Sequence, residues 1–164
     1  MNRRSWTGGM IEFCGQDTCT VDANGRVKLA PRFLLDFRRH GPEVVLHCLP
    51  EGAMAVYPAM VWTQMRQNPE LTPGHAAQSA MVRRQFRWFG ALTSIEAISN
   101  QGRITIPAHF RSLLDLLPGT EAVLVGCELG VEIWNSAVWQ QEFLKLREHQ
   151  QQKADVEMTA DLQR

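Results

Sequence analysis

The chain contains two copies of one short pattern, and this internal repeat constrains its fold more than any other feature of the sequence. The segment NGRVKLAPRF at 24–33 recurs as QGRITIPAHF at 101–110, an offset of 77 residues. The correspondence continues further along the chain at the same offset, where 54–57 matches 131–134 and 61–62 matches 138–139. Several matches in one register indicate two tandem copies of a unit of about 45 residues.

Each copy predicts the same order of short elements. A β-rich segment reaches a glycine-containing turn and a second β-rich segment follows, which is the pattern of a hairpin. Pro31 and Pro107 then stand where a short helix would begin, and two further strands and a helix complete each copy. A unit this small buries too little core to be stable alone, so we expect the two copies to pack about a pseudo-twofold axis.

The repeat divides the chain into four segments. We predict repeat 1 at 16–60, a connecting loop and helix at 61–92, repeat 2 at 93–138, and a C-terminal helix with a frayed tail at 139–164. The connector contains Pro69 and Pro73, which favour a loop, before a helical pattern at 75–89. The tail after Glu148 has no apolar periodicity, so we expect it to fray.

The charges are unevenly distributed, although the formal net charge at pH 7 is zero. Residues 1–111 hold 13 Lys and Arg against 8 Asp and Glu, whereas residues 112–164 hold 4 against 9, so the two parts carry +5 and −5. Such a distribution permits a nucleic-acid-binding face on one side of the fold, although ordinary solvated charges would give the same composition. We also expect the opposite charges to meet head to tail in a homo-oligomer.

Membrane, secretory and metal-binding classes find no support in the sequence. No stretch approaches the roughly 20 apolar residues of a membrane helix, and the segment MNRRSWTGGM lacks the apolar core of a secretory signal, so we expect a cytoplasmic location. The four cysteines form no C-x-x-C pair, and none of the five histidines stands at zinc-finger spacing. We expect reduced thiols, no metal site and no cofactor.

The turns within the two copies carry the residues best suited to contact a ligand. In the first turn, Asp22 can accept hydrogen bonds from the turn's own amides, and Gly25 can adopt a positive φ. Arg26 then emerges at the start of a strand, where Asp22 can pair with it and narrow the directions that its guanidinium takes. The second turn repeats this pattern with Gly102 and Arg103.

Two arginine-tipped turns related by internal symmetry suit a repeating polyanion such as double-stranded DNA. Arginine and lysine bind phosphates, and amide side chains can read the edges of bases. The predicted DNA-binding residues are Asp22, Asn24, Gly25, Arg26, Lys28, Asn100, Gln101, Gly102 and Arg103. Further basic residues flank the first copy (Arg32, Arg38, Arg39) and the second (His109, Arg111). A single turn of this type is usually a plain connection between strands, and its duplication is what favours a binding role.

Taken together, these features resemble the MraZ family, bacterial transcriptional regulators linked to the division and cell-wall gene cluster. The resemblance covers residues 16–148 and rests on the paired Asp-x-x-Gly-Arg-type turns, the helix starts after them, the Arg-rich helix before the second copy, and Val-Glu-Ile-Trp followed by Trp139. It implies an α+β fold, a double-split β-barrel of the AbrB-like superfamily built from two tandem β-α-β-β repeats with packed helices.

The resemblance also implies a function. It implies a ring-shaped homo-oligomer that binds double-stranded DNA at promoter repeats, including those of its own gene, in the cytoplasm on the nucleoid. It places Asp22, Arg26 and Arg103 in contact with DNA. Ser99 departs from the pattern, because it replaces the usual aspartate of the second turn and leaves only a hydroxyl to orient Arg103. Ala30 stands where the family usually has a proline, and the N-terminal segment 1–12 is longer than is usual in the family.

An enzyme and a non-catalytic interaction module are the alternatives to a DNA-binding regulator. His47 and Cys48 form the best available catalytic pair, but neighbouring residues of a strand point to opposite faces, so we expect no enzymatic activity. Exposed tryptophans would favour an oligomeric, antitoxin-like partner-binding module without specific DNA binding. Trp134 and Trp139 instead recur at the offset of the repeat, which predicts a repeated core layer.

Overall fold

The structure, a computed structural model, describes residues 11–67, 74 and 78–162. Its elements are β1 (Gln16–Thr20), β2 (Arg26–Lys28), α1 (Pro31–Arg38), β3 (Glu43–Cys48), β4 (Ala53–Pro58), α2 (Ala59–Met65), α3 (Ala80–Ala91), β5 (Thr93–Ala97), β6 (Arg103–Thr105), α4 (Ala108–Leu114), β7 (Glu121–Gly126), β8 (Val131–Asn135) and α5 (Ser136–Leu162). The predicted α+β class is confirmed. Most of the predicted connecting loop at 68–74 and the predicted start of the connecting helix at 75–77 lie outside the described residues, as do residues 1–10, and residue 74, predicted in the loop, is helical.

The described strands form one open antiparallel sheet and one small ribbon. The sheet has the order β1-β7-β8-β4-β3-β5, and β2 pairs with β6 in a separate antiparallel ribbon. Each of these eight strands has a partner from the other half of the chain, because β1 pairs with β7, β3 with β5, β4 with β8 and β2 with β6. The two halves therefore share one set of sheets.

The predicted hairpin between β1 and β2 is wrong beyond the turn itself. The N–H of Asp22 donates to the carbonyl of Arg26 at 2.9 Å, but the two strands then separate to different partners. The reason lies in the core, because Val27 and Ile104 face each other across the ribbon and both are completely buried. An isolated hairpin would leave such side chains partly in water, whereas the shared ribbon places both in the common core.

The core confirms the predicted repeat of apolar anchors. Phe33 of α1 and its equivalent Phe110 of α4 are both fully buried. Trp134 and Trp139 are 3% and 8% exposed, with ring centroids 5.4 Å apart, so the prediction that they belong to the core is also confirmed. Aromatic side chains of this size contribute much of the apolar surface that a small fold can bury.

The C-terminal helix is longer than the sequence analysis predicts. α5 continues from Ser136 to Leu162, through the segment after Glu148 that we expected to fray. That segment contains no glycine or proline, and its Gln, Ala, Lys, Glu, Met and Leu residues favour a helix without any apolar periodicity. Near its other end, α5 is anchored to the fold by Trp139, which is buried. Within the described residues, no helix is both long and apolar enough to cross a membrane.

Candidate nucleic-acid interface

The first turn holds Arg26 in one direction through Asp22. Oδ1 of Asp22 accepts hydrogen bonds from the backbone N–H groups of Asn24 and Arg26, both at 2.9 Å, and Oδ2 accepts from Nε of Arg26 at 2.9 Å. Gly25 adopts a φ of +73°, which a glycine takes without strain. The predicted pairing of Asp22 with Arg26 is confirmed.

The electrostatic state of the first turn follows from these hydrogen bonds. The backbone N–H of Arg26, the guanidinium of Arg26 and the backbone N–H of Asn24 all stabilise the carboxylate and hold the pKa of Asp22 below its usual value. The ion pair therefore persists as the pH falls into the range where an ordinary aspartate would begin to take up a proton. Both side chains are about one-third exposed, so a ligand can reach the guanidinium.

The second turn has the same backbone but weaker side-chain support. The N–H of Gly102 donates to the carbonyl of Ser99 at 2.9 Å, and Gly102 has a φ of +77°. Oγ of Ser99 accepts from the backbone N–H of Arg103 at 3.0 Å, whereas the guanidinium of Arg103 donates to the side-chain oxygen of Gln101. A neutral amide therefore takes the place that a carboxylate fills in the first turn.

The ribbon brings the cations of both turns onto one surface. Its register places Lys28 directly opposite Arg103, and Arg26 lies on the same strand as Lys28, two residues away. Because side chains alternate along a strand, Val27 and Ile104 face the core while these three cations face outward. The sequence did not predict this pairing, although the shared basic-apolar-polar pattern of RVK and RIT was a signal for it.

The remaining predicted residues of the turns divide into exposed and buried groups. Asn24, Asn100 and Gln101 are exposed at the tips of the turns, where their amides are accessible. Gly25 and Gly102 are buried. The two glycines shape the turns by their positive φ angles, and their predicted part in DNA binding stays a prediction.

Each turn is covered by a helix from the other half of the chain. A β-carbon at Gly25 would overlap the guanidinium of Arg111, and a β-carbon at Gly102 would lie 2.9 Å from Cδ2 of Leu34. Leu34 in α1 and Arg111 in α4 are equivalent positions of the repeat. The sequence placed Arg111 beside the second turn. The structure places Arg111 beside the first turn. The pairing of β2 with β6 brings α4 of the second half against the first turn and α1 of the first half against the second turn.

The other flanking basic residues have mixed positions. Arg32 donates to the carbonyl of Gln16, and Arg39 pairs with Glu12 at 3.5 Å, so both arginines tie α1 to the start of the described chain. Arg38, predicted beside the first turn, lines an open groove next to the second. His109 rests edge-on against the ring of the adjoining phenylalanine. None of these residues joins the outward face of the ribbon.

The best candidate for a catalytic pair is divided between two sides of a strand. Cys48 is fully buried in the main core, and burial raises the pKa of its thiol to about 11, so the thiol stays protonated. His47 stacks on Phe89 with ring centroids 4.8 Å apart and is hydrogen-bonded to Oγ1 of Thr93 at 2.9 Å. Burial lowers the pKa of this histidine. Across the described part of the chain, no group of residues is arranged to hold a metal ion.

Known proteins resemble the chain along most of its length. A family model described as "MraZ protein, putative antitoxin-like" matches residues 96–162. A protein named "Transcriptional regulator MraZ" from Nitrosococcus oceani is 28% identical, covering 92% of this chain and 96% of its own length. Its namesake from Desulfitobacterium hafniense is 33% identical over 77% and 83% of the two chains, and that from Syntrophobacter fumaroxidans is 26% identical over 80% and 84%.

Proposed function

The chain belongs to the MraZ family of transcriptional regulators, and from this premise we propose that it binds specific double-stranded DNA through the outward face of the β2–β6 ribbon. One observation carries the proposal: Arg26, Lys28 and Arg103 share an exposed face of a two-stranded ribbon, with Arg26 already oriented by Asp22. The major groove of DNA admits a ribbon of this width, and arginine is the side chain that most often reads guanine there. We assign no catalytic step to the protein.

We propose different roles in DNA recognition for the residues of the turns. Arg26, Lys28 and Arg103 contact phosphates or guanines, and Asp22 acts mainly by orienting Arg26. Asn24, Asn100 and Gln101 are exposed at the tips, where their amides can hydrogen-bond to base edges. Phosphate contacts fix the position of the protein on the duplex, and base contacts supply the sequence preference.

We propose that the sheet and the ribbon together form a double-split β-barrel. β1 and β5 are the two outer strands of the described sheet, and each leads through a turn into a strand of the ribbon. Two backbone hydrogen bonds connect the two halves at the ends of the ribbon. The N–H of Leu29 donates to the carbonyl of Gly102, and the N–H of Ile106 donates to the carbonyl of Gly25, each at 2.9 Å. This arrangement supports a ribbon that spans the open side of the sheet.

We further propose that the protein acts as a ring-shaped homo-oligomer in the cytoplasm, on the nucleoid. A single ribbon reaches few phosphates, so linking several ribbons in one assembly raises the overall affinity without any new type of contact. Light scattering at micromolar concentration and moderate salt should therefore give a mass several times the 18.6 kDa of one chain. A mass equal to one chain would contradict the ring.

The function is tested by comparing two duplexes at equal length and equal salt. The first contains the region upstream of the protein's own gene, within the division and cell-wall cluster, and the second is unrelated. We expect the first to bind at least about a hundredfold more tightly, since specific sites commonly exceed nonspecific ones by more than this. Equal affinity for both duplexes would contradict specific regulation, and absence of binding to either would favour a partner-binding module.

Replacing Ser99 with aspartate should make the second turn resemble the first. The new carboxylate would retain the hydrogen bond from the backbone N–H of Arg103 and offer a second oxygen to its guanidinium, as Asp22 does for Arg26. We expect Ser99→Asp to bind the upstream duplex about as tightly as the wild-type protein in an equilibrium titration, because the firmer orientation of Arg103 is opposed by repulsion between the new carboxylate and the phosphates. A large gain in affinity, or a large loss, in the folded protein would show that one of these two effects dominates and would contradict this balance.

A further inference from the structure

Arg111 is the residue near the first turn whose charge the repeat does not explain. It belongs to α4 of the second half, yet its guanidinium covers Gly25 of the first turn so closely that any side chain at Gly25 would displace it. Phe110 and Leu114 are buried on the same short helix and fix the position from which Arg111 reaches the turn. The contact is thus set by the packing of the fold.

The equivalent contact at the second turn has the same geometry and a different chemistry. Leu34 of α1 covers Gly102 as Arg111 covers Gly25, and the two positions correspond in the repeat. Leucine packs against the turn without adding any charge. The contact itself therefore requires no arginine, and the positive charge at position 111 needs a separate reason.

The charges of the two turns supply that reason. In the first turn Asp22 neutralises Arg26 while orienting it, and its carboxylate would repel a phosphate that approaches the same tip. In the second turn Ser99 is neutral, so Arg103 keeps its full charge. Arg111 beside the first turn therefore offsets a carboxylate that the second turn lacks, and the apolar Leu34 beside the second turn has no such charge to offset.

Arg111 is also available to a ligand. It is partly exposed, and within the described ranges it forms no ion pair with a carboxylate. Arg39, by comparison, is already paired with Asp36 at 3.0 Å. A guanidinium without an acidic partner is free to form charge-assisted hydrogen bonds with a phosphate.

We propose that Arg111 binds a DNA phosphate at the first turn, so that this site is built from both halves of the chain. The inference rests on the proposed function. It assigns to Arg111 the role of offsetting the carboxylate of Asp22, a role that position 34 does not need at the second turn. The DNA-binding unit at the first turn is then Asp22, Arg26 and Arg111.

The test compares Arg111→Gln with Lys153→Gln, which removes one positive charge from the exposed far part of α5. Fluorescence anisotropy titrations of the full chain with the upstream duplex, at several salt concentrations, measure affinity and its salt dependence. We expect Arg111→Gln to lose about tenfold or more in affinity, as for one charge-assisted hydrogen bond. The slope of log affinity against log salt should flatten by about 0.9 for each engaged protomer. Lys153→Gln should change neither quantity, and Arg111→Lys should restore the salt slope.

A second pair of variants tests the position of Arg111 without removing it. Gly25→Ala and Gly41→Ala both place a side chain at a positive φ, but the space at Gly41 is open, whereas at Gly25 the new methyl group would displace Arg111. We expect Gly25→Ala to weaken DNA binding more than Gly41→Ala when both proteins are folded.

If the wild-type protein binds no DNA, the proposed function fails. Suppose instead that the wild-type protein binds DNA and that Arg26→Ala weakens this binding. If Arg111→Gln then alters neither the affinity nor the salt slope, only the role of Arg111 is refuted.

Discussion

Replacing Arg26 with alanine should weaken specific DNA binding more than replacing Arg103 with alanine. Arg26 is held by Asp22 through a bond from Nε at 2.9 Å, so it loses little conformational entropy when it binds, whereas Arg103 is held by the neutral, flexible side chain of Gln101. Arg26→Ala also leaves the carboxylate of Asp22 exposed to the phosphates without its partner. Both effects act in the same direction, and we expect a difference of about tenfold or more between the two variants.

Equilibrium titrations with the upstream duplex measure this difference, with circular dichroism and light scattering to show that both variants are folded and assembled. If Arg26 contacts a phosphate, its loss flattens the salt dependence by about 0.9 per engaged protomer. If it reads a base, its loss instead costs roughly 1 to 3 kcal/mol at particular positions and leaves nonspecific binding nearly intact. Equal or greater damage from Arg103→Ala would show that orientation by a carboxylate does not decide which turn dominates.

The first half of the chain should not fold by itself. In a fragment of residues 1–70, β1, β2, β3 and β4 lose their respective partners β7, β6, β5 and β8. Only the β3–β4 hairpin remains, and a two-stranded hairpin is marginally stable at best in water. Val27 would lose the covering side chain of Ile104 at the same time.

We expect the fragment to aggregate or to give the circular dichroism and narrow amide dispersion of an unfolded chain. The full-length protein under the same conditions is the control, and co-expression of residues 71–164 with the fragment should recover folded material. A fragment that unfolds cooperatively on heating, with a dispersed amide spectrum, would contradict a fold in which both halves share every sheet.

Local patterns predicted most of the elements and the chemistry of the turns. The 77-residue offset identified equivalent anchors such as Phe33 and Phe110, and both are buried as expected. The spacing from Asp22 to Arg26 predicted an ion pair within one turn, and that pair is present at 2.9 Å. These features depend on residues close together in the sequence, for which rules of turn geometry and apolar spacing are sufficient.

The choice of partners across the two halves could not be predicted in the same way. β2 pairs with β6, and Arg111 packs on Gly25, across about half the length of the chain. A strand pattern states which face is apolar, but it does not state which other strand supplies the next hydrogen bonds. The extension of α5 to Leu162 was missed for a different reason, since its residues favour a helix by intrinsic propensity without an apolar stripe.

Photo-crosslinking from the tip of the first turn tests most directly whether DNA lies on the outward face of the ribbon. A benzophenone amino acid replaces Asn24, which is exposed beside Arg26, and the control places it at Glu148 on α5, which is also exposed. Each folded protein is irradiated with the labelled upstream duplex. We expect a protein–DNA product from position 24 and none from position 148. Crosslinking from position 148 with none from position 24 would place the DNA elsewhere and contradict the assignment of the ribbon.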